Sequence, residues 1–216
     1  MKQFKYVYDE KRKVGYLCDY ILHGLVKDGY LSDFDWRSNS YSPEILDYKL
    51  GNDSDIKKFL LPFSELLEKI LNSIEINKRR ILLVPVPPSR SEDDQEYTTT
   101  PGKRGGKNRD DRNIIFCGFL ERFLKDKYPS IHAFNSLKRI KSIKKKDKKM
   151  SPAMHKKTMG IIMPNSEKIH NDDIIILVDD VFTYGNTFSG ARLVMKEKFP
   201  NAEFICAAIG RTHIRD

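Results

Sequence analysis

Apolar residues in this chain fall into two kinds of run. Short apolar runs stand at Arg80–Val86, Ile174–Val178 and Phe204–Ile209, and Ile174–Val178 is unbroken and mostly β-branched. They are too short for helices and predict strands buried on both faces, as in a parallel sheet. Other segments repeat at helical spacing. Val14, Leu17, Cys18, Ile21, Leu22 and Leu25 predict a helix within Phe4–Val26, stopped by Gly29. Ser42-Pro43 opens a short helix with Ile45, Leu46 and Tyr48 on its apolar side. Asp53–Ile76 has the strongest period, from Ile56 and Phe59 to Leu71 and Ile74, and Pro62 is expected to kink or split it. Asp111 or Asn113 starts a helix running to about Tyr128. Ile131–Leu137 and Gly160–Met163 are further strand candidates, and Phe188–Phe199 is a final amphipathic helix.

Three stretches have no period. Leu31–Tyr41, with Trp36, reads as a packed loop. Pro87–Arg109 is polar and long, a length that in a compact domain marks a functional or disordered segment. Lys138–Lys157 is rich in lysine. Between them strands and helices alternate, which predicts an α/β domain with a doubly wound, mostly parallel sheet and right-handed crossovers. The expected organisation is one domain over residues 1–216. It has an N-terminal helical part at 1–79, a core at 80–210 and a basic flexible loop at 138–158.

Composition adds three constraints. An apolar fraction of 39%, with 12 Phe and 10 Tyr, supports a packed core. Cys18, Cys117 and Cys206 are far apart, lack metal-ligand spacing and read as reduced core thiols. No apolar run approaches the ~20 residues of a membrane span and no signal core opens the chain, so the expected compartment is the cytoplasm. The net charge of +9 is local: Lys138–Lys157 holds ten Lys or Arg against one acid, Asp147, and leaves the remainder near neutral.

The densest chemistry follows the Ile174–Val178 run. Asp179 and Asp180 stand where that strand is expected to end, followed by Thr183, Tyr184, Gly185, Asn186 and Thr187, with Thr187 able to cap the next helix. An isolated acid pair also suits a phosphoacceptor site or plain loop acids. Here hydroxyls, an amide and a helix start lie within a few residues. A carboxylate pair accepts hydrogen bonds from a vicinal diol or binds hydrated magnesium, and a helix start beside hydroxyls accepts a phosphate. Diol and phosphate together describe a ribose 5-phosphate site. In open α/β sheets that place is where ligands bind.

The stretch Ile176-Leu-Val-Asp-Asp-Val-Phe-Thr-Tyr-Gly-Asn-Thr187 resembles the phosphoribosyl pyrophosphate (PRPP) motif of type I phosphoribosyltransferases. A looser likeness to the ComF-like branch runs over about residues 44–211. It rests on Tyr48-Lys49-Leu50-Gly51, Leu83-Val-Pro-Val-Pro87, Arg104-Gly105 and Leu137-Lys-Arg139 in that order. The resemblance implies a type I phosphoribosyltransferase fold with a mobile hood loop and N-terminal helices. It also implies transfer of a phosphoribosyl group from PRPP to a nitrogen acceptor. In its terms Asp179 and Asp180 are catalytic, contacting the ribose hydroxyls and magnesium directly or through water. Thr183, Tyr184, Gly185, Asn186 and Thr187 cradle the 5-phosphate. Ser89 and Arg90 belong to the pyrophosphate loop, and Lys141, Lys144, Lys145 and His155 to the hood. A closing basic hood stabilises departing pyrophosphate and excludes water.

Three features depart from the pattern. Tyr184 replaces a small threonine in the phosphate loop, Thr183 stands where hypoxanthine–guanine enzymes carry an aspartate, and the chain lacks a cysteine-rich zinc module. They keep open a second reading, an accessory or regulatory protein that binds a nucleotide. It can also bind single-stranded nucleic acid through Lys138–Lys157. Such domains are linked to DNA uptake and bacterial defence cassettes. A solvated lysine tract is the plain alternative for that segment, as an exposed loop histidine is for His155. Arg211 and His213 are acceptor contacts or part of a frayed terminus. A homodimer is an open expectation.

Overall fold

The computed structural model describes residues 2–21, 32, 37–38, 40–50, 53–89, 111–143, 150–162, 170 and 172–212. Trp36, Gly29, Gly51, Arg90, Arg104, Gly105, Lys144, Lys145, Met163 and His213 lie outside them. A central sheet joins β1 (Val7–Asp9), β2 (Val14–Tyr20), β3 (Ile81–Pro85), β4 (Ile131–Ala133), β7 (Ile174–Phe182) and β8 (Glu203–Thr212) in the order β1-β2-β8-β7-β3-β4. Only the β1–β2 pair is antiparallel. A separate two-stranded antiparallel sheet pairs β5 (Leu137–Arg139) with β6 (Met159–Ile161).

Helices cover both faces. On one side lie α1 (Ser42–Leu50), α2 (Asp53–Lys57), α3 (Leu60–Asn72) and α4 (Arg112–Leu124). They bury Tyr48, Phe63, Leu66, Phe116 and Leu120 against Ile81, Ile174 and Ile205. On the other lie α5 (Pro152–Lys156) and α6 (Asn186–Lys198), with Phe188, Ala191 and Met195 against Leu82, Ile175 and Leu177. All five residues of β3 and the first five of β7 are buried, as unbroken apolar runs in a covered parallel sheet require. Cys18, Cys117 and Cys206 are buried free thiols, and loss of hydration pushes Cys18 and Cys206 up to about 12.

The N-terminus corrects the expected helix and the all-helical reading of 1–79. Residues 7–20 form a hairpin whose second strand lies parallel to β8, from Val14↔Cys206 to Tyr20↔Thr212. Leu17 and Cys18 lie on opposite faces and are both buried, so the strand's buried positions run 15, 17, 18 and 20 and imitate a helical stripe. Val, Tyr and Cys favour a strand, and the free edge of β8 decides the matter. The Asp53–Ile76 helix is divided, but at Lys58-Phe59; Pro62 sits in the first turn of α3, where its missing N–H is no loss. The Ile131–Leu137 candidate is two strands in different sheets, parted where Phe134 N donates to Leu83 O and Ser136 N to Phe134 O, both at 2.9 Å. The α4 helix ends at Leu124 rather than Tyr128.

Candidate functional site

Parallel pairing of β3 with β7 sets Pro85 opposite Val178, and Val86 N donates to Val178 O at 2.8 Å. The chain leaving β3 and the acids after Val178 therefore emerge together at the carboxyl edge of the sheet. Asp179 and Asp180 lie inside β7, which continues to Phe182, so the acids are held on ladder backbone rather than beyond the strand end. Residues 179–182 remain in strand conformation beside β8, with Asp179 opposite Ala208 and Phe182 opposite Arg211.

The two carboxyls have different partners. Asp180 is 6% exposed; its Oδ2 accepts from Arg112 Nε at 3.1 Å and Nη2 at 2.6 Å. Its Oδ1 accepts from Val181 N at 2.6 Å and lies 4.0 Å from Lys49 Nζ, which sits over the Tyr20 ring. Asp179 is half-buried. Its Oδ1 accepts from Asn113 Nδ2 at 3.2 Å and Asp180 N at 2.8 Å. Asn113 is fixed in turn by Val86 O at 3.3 Å and by the buried Tyr48 hydroxyl, which donates to Asn113 Oδ1 at 2.9 Å.

These surroundings separate the acids electrostatically. Desolvation and the charge of Asp180 push the Asp179 carboxyl upward, outweighing the hydrogen bond from Asp180 N–H and the charges of Arg112 and Lys49. Desolvation acts on Asp180 too, but Lys49 and Arg112 overcome it and hold that carboxyl below the usual range. One acid is thus ionised and neutralised by fixed cations. The other retains a proton far more readily and, among the described residues, leaves Oδ2 without a hydrogen-bond partner.

The turn after β7 carries Gly185 at φ 74°, in the left-handed region, at the N-cap of α6. That position corrects the expected cap at Thr187, the second residue of the helix. The first N–H groups of α6 are turned out by this entry, as at any helix start. Thr183 Oγ1 is 2.9 Å from Thr212 Oγ1, Tyr184 is 58% exposed, and Asn186 Nδ2 donates to Met150 O at 2.9 Å. Asn186 thereby ties the turn to the segment entering α5.

The lysine-rich stretch is ordered at both ends, as β5 and as α5, with 144–149 outside the described residues. Its start docks on the chain leaving β3. Arg139 Nε donates to Pro88 O at 2.7 Å and Nη2 to Pro87 O at 3.3 Å, while Nη1 donates to Thr158 Oγ1 at 2.5 Å. Ile143 N donates to the carbonyl of exposed Ser89 at 2.7 Å. Arg139 is 2% exposed, and desolvation lowers it to about 10, partly countered by Asp179. Lys141 is exposed. His155 is 5% exposed on α5, correcting the expected exposed loop histidine, and its Nδ1 has no hydrogen-bond partner among the described residues. Gly190 of α6 makes this burial possible: a Cβ there would meet His155 Cβ at 2.5 Å and Lys156 N at 3.1 Å.

Asp179, Asp180 and the Thr183–Thr187 turn thus share one sheet edge with Ser89. Arg112, Asn113, Lys49, Tyr48 and Arg139 complete the site and were not expected as site residues. Tyr48 was expected on the apolar side of the short helix, Tyr48-Lys49 and Arg139 lay in noted motifs, and no motif marked Arg112 or Asn113. Among the described residues no cluster of three His, Cys, Asp or Glu could hold a metal alone. No helix there is long and apolar enough to cross a membrane. Comparison with protein-family models and with curated proteins gives no match.

Proposed function

We propose that this sheet edge binds PRPP with magnesium in a type I phosphoribosyltransferase-like fold, and that the protein transfers the phosphoribosyl group to a nitrogen acceptor. The observation that carries the reading is an acid pair at the sheet edge, with Asp180 closed by Arg112 and Asp179 leaving one oxygen open among the described residues, followed by a left-handed glycine opening a helix. An ionised carboxylate at Asp179 accepts from ribose hydroxyls, and the α6 start suits the 5-phosphate. In the transfer, nitrogen bonds to C1 of ribose, the C1–oxygen bond breaks, and its electron pair leaves on pyrophosphate. Carboxylate charge at Asp179 favours the positive charge that develops on the sugar. Arg139, held against Pro87 and Pro88, contributes positive potential on the pyrophosphate side of the edge.

Asp179 fits a magnesium ion held by a single protein carboxylate with substrate oxygens and water, a usual set for that ion. When bound, the ion neutralises the leaving phosphates. Asp180, saturated by Arg112, Lys49 and Val181 N, positions the strand and its neighbour rather than meeting the ion.

PRPP with magnesium should raise the melting temperature, and Asp179→Asn with Asp180→Asn should abolish the rise. No shift at millimolar PRPP sinks the reading. The fixed neutralisation of Asp180 and the exposed Tyr184 favour, as a second reading, an accessory protein that binds the ligand without transfer. Pyrophosphate release across a panel of bases and amines separates the two. Lys138–Lys157 supports nucleic-acid binding in that reading only if deleting 141–149 removes a salt-steep affinity for single strands.

A further inference from the structure

A second cleft opens on the α6 face, between the β1–β2 turn, the end of β7 and the first turns of α6. Its volume is about 530 Å³, within the range of small-ligand sites. Tyr184 and Gly185 of the turn after β7 line it, but neither Asp179 nor Asp180 does. We propose that this cleft binds a mononucleotide.

Charge argues for a phosphate. Lys11 from the hairpin turn, Arg192 from α6 and Arg211 from β8 line the cleft, and none has an acidic partner among the described residues. Arg12 also lines it and is offset by Asp9 at 3.6 Å, so three cations are left for an anion. They come from three separate elements around one cavity. A single strand of nucleic acid would instead be tracked by cations along a groove.

The walls argue for a ring beside that phosphate. Tyr16 meets Phe182 edge-on at 5.8 Å between centroids, and Phe182 lies 5.9 Å from Phe188. The Arg211 guanidinium stands 5.7 Å from the Tyr16 ring centre, a cation–π pair that gives a base a flat surface to stack on. Inorganic phosphate leaves this aromatic wall unused, and a neutral ring compound leaves three cations unanswered. A nucleoside monophosphate satisfies both, with Asp9 and the Ser189 hydroxyl available to its sugar or base.

The site shares Tyr184 and Gly185 with the turn proposed for the 5-phosphate but not the acid pair, and calorimetry without magnesium tests it on the intact chain. Adenosine monophosphate should bind, with adenosine and inorganic phosphate each weaker by about tenfold or more. Arg192→Glu with Arg211→Ala, the first half-buried and the second exposed, should weaken the nucleotide by about a hundredfold. Asp179→Asn with Asp180→Asn should leave it within about twofold. Absence of binding at millimolar nucleotide overturns the proposal. So does binding lost with the acid pair but kept without the arginines. Tighter, salt-steep binding of a single-stranded oligonucleotide at the same arginines replaces the mononucleotide with a strand and also overturns it.

Discussion

Arg112 closes on a single oxygen of Asp180, with Nε at 3.1 Å and Nη2 at 2.6 Å, and so fastens the first residue of α4 to β7. Desolvation disfavours the Arg112 charge, but Asp180 more than restores it and raises its pKa. The pair is nearly shut off from water, with side chains 15% and 8% exposed. Removing one partner strands a buried charge. Arg112→Ala should therefore destabilise by about 3–5 kcal/mol, whereas the paired change Arg112→Met with Asp180→Leu should cost far less. Urea unfolding of the three proteins measures this. A cost under about 1 kcal/mol for Arg112→Ala would show a pair screened like a surface bridge.

Asp179 runs the other way in stability. Its folded carboxyl, at about 7, lies above the ordinary range near 3.8, so the folded state holds the proton more tightly than the unfolded chain. Ionisation therefore removes stability as pH rises between those values. Asp179→Asn keeps an acceptor for Asn113 and cannot ionise. It should raise the melting temperature at pH 8 and change it little at pH 4, where both side chains are neutral. Equal shifts at both pH values would refute a strained carboxylate.

The same proton sets the pH dependence of ligand binding. A metal–phosphate ligand needs the carboxylate, so binding below about 7 must expel the proton from Asp179. Affinity for PRPP with magnesium should fall by up to about tenfold per pH unit below that point and level off above it. Calorimetry in buffers of different ionisation enthalpy should record proton release at pH 6 and almost none at pH 8. A flat profile would mean that Asp179 is not part of the binding surface.

How far the sequence carried depended on the range of the forces involved. Ile81–Pro85 and Ile174–Val178 were legible because burial on both faces leaves an unbroken apolar run. The acid pair and the turn that follows β7 were legible because acid, hydroxyl and glycine are adjacent in the chain. The hairpin at 7–20 was not, since its pairing with β8 joins Val14 to Cys206 across most of the sequence. Nor were Arg112 and Asn113, whose roles arise from β3–β7 adjacency and not from their own helix. Likewise His155 reads as a loop residue until Gly190 supplies the gap that receives it.

That gap gives the last prediction. Alanine at Gly190 would drive a Cβ into His155 Cβ at 2.5 Å, with Lys156 N and Pro152 O at 3.1 Å. Two of these contacts are backbone, so α5 itself must move, at a cost of about 1–3 kcal/mol if it stays docked. A five-residue helix, capped by Ser151 at one end and Lys157 N–H at the other, is too short to persist without its packing on α6. Hydrogen exchange at 152–158 should therefore accelerate in Gly190→Ala while β3 and β7 stay protected. The wild-type protein should show the same release on acidification. Desolvation and Arg139 lower the pKa of docked His155, so docking is fully favourable above the undocked value near 6.5 and weakens as pH falls below it. Exchange at 152–158, corrected for its intrinsic pH dependence, should rise between pH 7 and pH 5, and His155→Gln should flatten that rise. A rise that persists in His155→Gln would assign the release to another group.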